Sequence, residues 1–290
     1  MQLPLIVGVD GSDSSLAAVD WAVDEAARHG LPLHLVHASR WEIYEGAQPS
    51  FSTDRPAEEI MAEHIVASSV ERAQLRNSKV KVSGEVLPDD AASALLRAAP
   101  EAFALVTGCR GRGGLTGMLL GSVSLVVAAR AVCPVAVVRG AERNLRGDFG
   151  RVAVGVGDAN GGGAIRFALR EADVRGCSVT AVRAWRNPAQ EPVDHMLIAD
   201  DAARLREDRA CAALDDALRD AVREHPQVDV HRQPVEGPAH RILLTASAEA
   251  DLIVVGAQRR HGHFGLQLGR VAHTLLHHST CPVAVVPQPL

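Results

Sequence analysis

The chain repeats itself once, and this duplication limits its possible architecture more than any other feature. The hexapeptide Cys-Pro-Val-Ala-Val-Val stands at 133–138 and again at 281–286. Two further apolar runs recur in the same order and at matching spacing, 6–9 with 153–156 and 104–108 with 252–256. The 290 residues are therefore interpreted as two copies of one domain, and not as one domain with an extension.

The domain boundaries follow from the repeat. We expect one domain over residues 1–140 and the second over 150–290. The segment between them, 141–149, is polar and lies between glycines, which is typical of a linker.

Within each half, short β-branched runs alternate with longer segments rich in Ala, Leu and Arg. The pattern predicts strands at about 4–9, 32–38, 79–86, 103–108 and 134–138, with helices at about 13–29, 55–76, 90–98 and 115–130. In the second half it predicts strands near 151–156, 178–184, 228–235, 251–256 and 283–286. This alternation indicates an α/β fold in which each domain is an open, five-stranded, mainly parallel sheet with helices on both faces.

Charge and composition exclude several classes of function. The net charge of −5 gives no basic field for non-specific nucleic-acid binding. No uncharged apolar run reaches the roughly 18 residues that a membrane helix requires, and the N-terminal run has no secretory pattern. The odd number of cysteines, without CxxC spacing, suits reduced thiols without a structural disulfide. We therefore expect a cytoplasmic protein without a nucleic-acid or membrane partner.

A glycine-rich segment over 108–122 follows a predicted strand and leads into a helical pattern. Glycines in this position allow backbone amides to approach phosphate oxygens, and the following helix N-terminus favours negative charge. Gly121 and Ser122 would add an amide and a hydroxyl to the same anion. No Gly-Lys-Ser/Thr ends the segment, so it is not a Walker A loop.

The spacing Gly-x2-Gly-x9-Gly-Ser, met by Gly108, Gly111, Gly121 and Ser122, resembles the ATP-binding signature of the universal stress protein family. The Val-Asp-Gly-Ser that ends the first strand and the Cys-Pro before the last strand agree with that family. The resemblance covers nearly the whole chain in two copies. It implies an adenine nucleotide alpha hydrolase-like fold and a regulatory, stress-response protein that binds ATP, with which Mg²⁺ could be bound.

The resemblance also implies a role for individual residues of the first domain. Asp10, followed by Gly11, would contact the ribose and the adenine edge, and Val36 would line the adenine pocket. Gly108 and Gly111 would lie at the ribose and phosphates, with Gly113 in the same loop, and Gly121 and Ser122 would bind the phosphates. Arg110 either helps to neutralise the phosphates or is a solvated loop charge.

The second copy departs from the signature where it matters for phosphate. Gly111 corresponds to Arg259, Ser122 to Arg270, and Asp10 to Gly157. We expect this degenerate site to be empty or altered, with two alternatives: Arg270 itself occupies the pocket, or the arginines hold a different anionic ligand.

Other functions remain as alternatives. The bound ATP could serve a slow ATPase or phosphotransferase, but the sequence offers no Walker-type lysine and no catalytic Asp/Asn pair, so no catalytic residue is assigned. A scaffold that binds no nucleotide is the third reading. His273 and His277 lie four apart on a predicted helix, but no carboxylate or thiol stands at ligand spacing, and no metal site is expected.

The repeated Cys-Pro-Val-Ala-Val-Val strands predict how the domains assemble. Each is the last strand of its domain, and edge strands invite pairing. Members of the family pair this strand in a two-fold dimer, so Val135–Val138 is expected against Val283–Val286 in an intramolecular pseudo-dimer. A homodimer of whole chains is compatible with this arrangement.

Overall fold

The computed structural model describes residues 2–40, 57–110, 120–157, 162–186, 196–258 and 268–288. The chain divides into two compact units, unit 1 over Met1–Arg139 and unit 2 over Gly140–Leu290. Within the described ranges, no helix is both long enough and apolar enough to cross a bilayer.

Unit 1 is an α/β domain whose described strands pair in parallel. The strands are β1 (Leu5–Gly8), β2 (Leu33–Ala38), β3 (Val82–Leu87), β4 (Ala104–Gly108) and β5 (Val135–Val138). The helices are α1 (Asp13–His29), α2 (Ala57–Arg76), α3 (Ala91–Ala98) and α4 (Ser122–Arg130), with a 3₁₀ turn at Ala99–Glu101. The strands lie in the order β3-β2-β1-β4-β5, so β1 and β4 are central.

The central strands are apolar because helices cover both of their faces. Every residue of β4 is buried, and Leu5, Ile6 and Val7 of β1 are buried as well. Helix α1 begins where the side chain of Ser12 accepts a hydrogen bond from the Ser15 amide and ends at Gly30, whose φ of 66° closes the helix in the left-handed region.

Two predicted boundaries in unit 1 need correction. The helix predicted from residue 115 begins at Ser122: residues 115–119 lie outside the described ranges, and residues 120–121 are not helical. The backbone of Gly121 is extended, and its N–H donates to the Cys109 carbonyl (2.8 Å), so the chain turns there before the helix starts. Strand β3 begins at Val82 and not at residue 79, because Asn77 holds a turn through its side-chain bond to the Lys79 amide (3.1 Å).

Unit 2 repeats this layout. Its strands are β6 (Arg151–Gly155), β7 (Ser178–Trp185), β8 (Val230–Glu236), β9 (Leu252–Gln258) and β10 (Val283–Gln288). Its helices are α5 (Glu142–Arg146), α6 (Gly162–Arg175), α7 (Met196–Glu224), α8 (Ala239–Ala246) and α9 (Arg270–His278), with a 3₁₀ turn at Ser247–Glu249. The strands are parallel in the order β10-β9-β6-β7-β8, which has the same connectivity as unit 1.

The segment 141–149 is partly helical and packs within unit 2. The buried side-chain amide of Asn144, on α5, donates to the carbonyls of Ser247 (3.2 Å) and Ala250 (2.7 Å). Just beyond it, the carboxylate of Asp251 accepts from the amides of Phe149 and Arg151, both at 3.0 Å. These bonds tie the entry of unit 2 to its own 3₁₀ turn and to the start of β9.

Candidate functional site

The carboxyl ends of β1, β2 and β4 in unit 1 surround a cavity of about 460 Å³. This edge of a parallel sheet is where α/β proteins commonly bind ligands, and the volume falls in the usual range of roughly 300–1,000 Å³. The wall is mainly uncharged, with Asp10 and Arg110 as its formally charged side chains. The lining residues are Gly8, Val9, Asp10, Ser15, Val36, His37, Ala38, Ala91, Leu95, Thr107, Gly108, Arg110, Leu120, Gly121, Ser122, Val123 and Ser124.

The turn from β1 to α1 positions Asp10 at the cavity. One carboxylate oxygen, Oδ1, accepts from the Ser12 hydroxyl (2.6 Å) and from the Ser12 amide (3.0 Å). Gly11 lies between them with a φ of 76°, a conformation that residues with a side chain rarely adopt. Gly11 therefore shapes the turn and is not among the lining residues.

Gly108 is needed because the start of α1 lies against the end of β4. A β-carbon at Gly108 would stand 2.5 Å from the backbone carbonyl oxygen of Ser14, well inside van der Waals contact. The Ser14 hydroxyl then accepts from the Arg110 amide (3.0 Å), which fixes the first residues of the glycine-rich loop against α1.

Helix α4 directs its N-terminus at the cavity. Gly121 precedes it, and no side chain in the part of the chain that the structure describes caps the first amides. Ser122, Val123 and Ser124 all line the cavity. The uncapped amides and the positive end of the helix dipole therefore create a place for negative charge. The Ser124 hydroxyl donates to the Gly108 carbonyl (2.7 Å), which ties the helix start to the end of β4.

The opposite part of the wall is apolar and comes from β2 and α3. Val36 and Ala38 of β2 contribute on one side, and Ala91 and Leu95 of α3 on the other. Between them, a ring nitrogen of His37, Nδ1, lies 2.7 Å from the Val9 carbonyl oxygen and holds the imidazole at the end of β1.

Helix α3 is held at its N-terminus by Asp90. Its carboxylate accepts from the Ser93 amide (3.1 Å), and hydrogen bonds from Ser93 lower the pKa of Asp90 below its ordinary value, with a smaller contribution from Arg40. The cap fixes the first turn of α3, which carries Ala91 at the cavity wall.

Most of the site residues predicted from the sequence meet at this cavity: Asp10, Val36, Gly108, Arg110, Gly121 and Ser122 all line it. Gly111 and Gly113 lie outside the described residues. Sequence reasoning missed the other lining residues, among them Gly8, Leu95 and Thr107. A glycine within an apolar strand indicates that another group approaches the backbone closely, so Gly8 could have been found from the sequence. Leu95, the residue that approaches it, lies on a helix far away in the chain, and no sequence pattern connects the two.

The corresponding positions of unit 2 are built differently. Ser122 corresponds to Arg270, the exposed first residue of α9, and Asp10 corresponds to Gly157. The side chain of Gln288 lies beside Gly256, the counterpart of Gly108, with its Cγ 3.0 Å from where a β-carbon would stand. Asp158 and Arg259 are outside the described ranges.

Comparison with known proteins relates the whole chain to one family. The sequence profile of the universal stress protein family matches residues 2–139 and 148–287. A universal stress protein of Mycobacterium tuberculosis is 33% identical over 290 residues, covering 98% of this chain and 97% of that protein. The crystal structure of a universal stress protein from Archaeoglobus fulgidus covers 100% of both chains, with a TM-score of 0.67 at 17% identity.

Two solved structures that match about half of the chain contain nucleotides. One is a universal stress protein from Archaeoglobus fulgidus in complex with dAMP, 23% identical over 46% of this chain and 95% of that chain, with a TM-score of 0.35. The other is a universal stress protein in complex with cAMP, 29% identical over 48% of this chain and 98% of that chain, also with a TM-score of 0.35.

Proposed function

The chain belongs to the universal stress protein family, and from this premise we propose that unit 1 binds an adenine nucleotide, ATP in the first place, as the ligand of a regulatory protein. The observation that carries the proposal is the uncapped N-terminus of α4, which opens onto the same cavity as the carboxylate of Asp10 and the apolar side chain of Val36.

The two ends of the cavity suit the two ends of a nucleotide. At the apolar end, Val36, Ala38 and Leu95 offer surfaces for a flat base. At the other end, the amides of Ser122 and Val123 can donate to phosphate oxygens. The volume of about 460 Å³ is in the range expected for a ligand of this size.

Each charged residue has a role in this proposal. Asp10 lines the cavity, where its carboxylate accepts hydrogen bonds from ribose hydroxyls. Arg110 follows Gly108 and Cys109, its backbone is tied to Ser14, and its exposed guanidinium is long enough to neutralise outer phosphates. A Mg²⁺ ion would enter with the triphosphate.

Calorimetric titration of the full chain with ATP tests the proposal. We expect one nucleotide per chain, because unit 2 lacks the counterparts of Asp10 and Ser122. AMP, dAMP, cAMP and adenosine are titrated in parallel, so that affinity can be separated into base, ribose and phosphate contributions. GTP serves as the control for the base. Absence of heat and of competition with any adenine ligand would refute the proposal, and two equivalent sites per chain would refute its restriction to unit 1.

The expected pairing of the two Cys-Pro-Val-Ala-Val-Val strands stays a prediction of the sequence. Cysteines introduced together as Val137→Cys and Val285→Cys would form an intramolecular cross-link under mild oxidation if the strands pair within one chain. A cross-link only between chains would favour a homodimer contact.

A further inference from the structure

Thr107 carries a buried polar group that the described part of unit 1 leaves without a hydrogen bond. It is the fourth residue of β4, it is 4% exposed, and it lines the cavity. Its hydroxyl oxygen is buried and has no hydrogen-bond partner among the residues that the structure describes. A buried hydroxyl without a partner lowers stability, so its presence needs an explanation.

Unit 2 provides an internal reference for this position. The counterpart of Thr107 in β9 is Val255, which is 3% exposed. The side chain of Val255 faces Gly155, with Cγ1 3.4 Å from where a β-carbon of that glycine would stand. Valine and threonine have nearly the same shape, so the duplicated fold accepts an apolar residue here. The packing of unit 1 therefore does not require the hydroxyl.

The register of the sheet places Thr107 in line with the proposed base site. Strand β1 pairs with β4 through Val7 and Val106, so the next position on β1, Gly8, lies beside Thr107. On its other side, Gly8 pairs with Val36 of β2. Residues in register on parallel strands point to the same face, and two strand spacings separate Val36 from Thr107 by about 10 Å. Gly8, between Val36 and Thr107, has no side chain. Leu95 of α3 occupies the space that a side chain at Gly8 would take.

We propose that Thr107 is a specificity residue for the nucleoside part of the ligand. A change of rotamer about its Cα–Cβ bond brings the hydroxyl to the cavity wall, which Thr107 already lines. There it forms a hydrogen bond with a nitrogen of the base or with a ribose hydroxyl. This inference rests on the proposed nucleotide function of the same cavity. The phosphates lie elsewhere, at the start of α4.

The test compares Thr107→Val with three other proteins: the wild type, Thr107→Ser, and the matched variant Val255→Thr in unit 2. Affinities for ATP and for adenosine are measured by competition against a fluorescent ATP analogue, and melting temperatures are measured without ligand. We expect Thr107→Val to weaken both ligands by the same factor, about five- to tenfold. Its melting temperature should stay the same or rise by roughly 2–4 °C, since a buried polar group has been removed.

The other variants separate binding from folding. Thr107→Ser keeps the hydroxyl and should bind within about twofold of the wild type. Val255→Thr should lower the melting temperature and leave both affinities unchanged, because it adds a buried hydroxyl away from the ligand.

Three results would overturn the inference while the proposed function stands. They are unchanged affinity of Thr107→Val, weakening for ATP without weakening for adenosine, and a lower melting temperature of Thr107→Val without ligand. The second result would mean a phosphate contact, and the third would mean that the hydroxyl serves the fold. If the wild type binds neither ligand, the proposed function and this inference both fail.

Discussion

Gly8 in unit 1 and Gly155 in unit 2 have the same surroundings, whereas Gly108 and Gly256 do not. A β-carbon at Gly8 would meet Leu95 at 2.9 Å, and one at Gly155 would meet Leu243 at 2.8 Å. Both units therefore pack a helix leucine onto a glycine of their central strand. This glycine–leucine contact is part of the helix–sheet packing that the two units share.

At the edge itself the units differ. Gly108 is buried against the Ser14 backbone, while Gly256 is exposed and its nearest neighbour is the flexible side chain of Gln288. His37 approaches the Val9 carbonyl in unit 1, but in unit 2 Arg183 donates to the Gly157 carbonyl (2.9 Å). Duplication has kept this core contact and changed the contacts that shape the edge of the sheet in each unit.

The largest expected difference between the units is in the loss of unfolding free energy when Gly108 or Gly256 is replaced by alanine. Gly108→Ala forces a β-carbon onto a backbone oxygen that cannot move alone, so we expect a loss of about 2–3 kcal/mol of unfolding free energy and of most nucleotide affinity. Gly256→Ala meets only a side chain and should cost less than about 1 kcal/mol. Denaturant unfolding and ATP titration check both variants. Equal costs would show that the close approach at Gly108 has no structural consequence.

The next test concerns the start of α4. Ser122→Ala removes a hydroxyl from the proposed phosphate end, so the affinity for ATP should fall about fivefold while that for adenosine stays unchanged. The reciprocal Arg270→Ser should not create a second site, because Gly157 still replaces Asp10. Calorimetry of both variants decides the matter. A new ATP site in Arg270→Ser would mean that one residue separates the two units.

A smaller difference between the units, which depends on pH, is expected in how much the N-terminal caps of α3 and α8 stabilise the fold. Asp90 caps α3, whereas α8 follows Pro238, which makes no side-chain cap. Since the folded pKa of Asp90 is lowered, its stabilisation of about 0.5–1 kcal/mol is present at neutral pH. That stabilisation is lost as the pH falls from about 4 through the lowered pKa.

Urea unfolding of the wild type and of Asp90→Ala over this pH range measures the effect. The two should differ at pH 7 and converge in acid. A difference that persists unchanged below the lowered pKa would show that the Asp90 carboxylate does not supply this stabilisation.

No difference is expected between the buried cysteines before the two last strands. Cys133 and Cys281 are both buried, and burial raises the pKa of the Cys133 thiol to about 11. Neither should react with a thiol reagent at neutral pH in the native protein, while the half-buried Cys109, Cys177 and Cys211 should react first. Mass spectrometry after brief alkylation identifies the modified residues. Rapid modification of Cys133 or Cys281 would show that the end of that unit opens readily.

Local patterns in the sequence were sufficient to predict the fold class, the order of the strands along the chain, and six of the seventeen residues that line the cavity. Helix α5 was not predicted, since its segment was expected to be a linker. The alternation of apolar runs with amphipathic segments determines a parallel α/β sheet, and the carboxyl ends of its strands must then share one edge. Gly108 ends β4, Asp10 lies two residues beyond β1, and Val36 lies in the second half of β2, so all three are near the carboxyl ends of neighbouring strands. Their meeting at the cavity therefore follows from the topology. The helix start at Ser122 was predicted too early, because no pattern marks where a glycine-rich loop becomes helical.

The duplication, the alternation of strands and helices, and the loss of Asp10 and Ser122 equivalents in the second half were determined by the sequence alone. Only the tertiary structure decided that Leu95 lies on Gly8, that the backbone of Ser14 excludes a side chain at Gly108, and that the hydroxyl of Thr107 is buried beside the cavity. These contacts join residues that are far apart in the chain. The distances between these residues depend on how the helices pack on the sheet. Hydrophobic periodicity and residue type do not determine that packing.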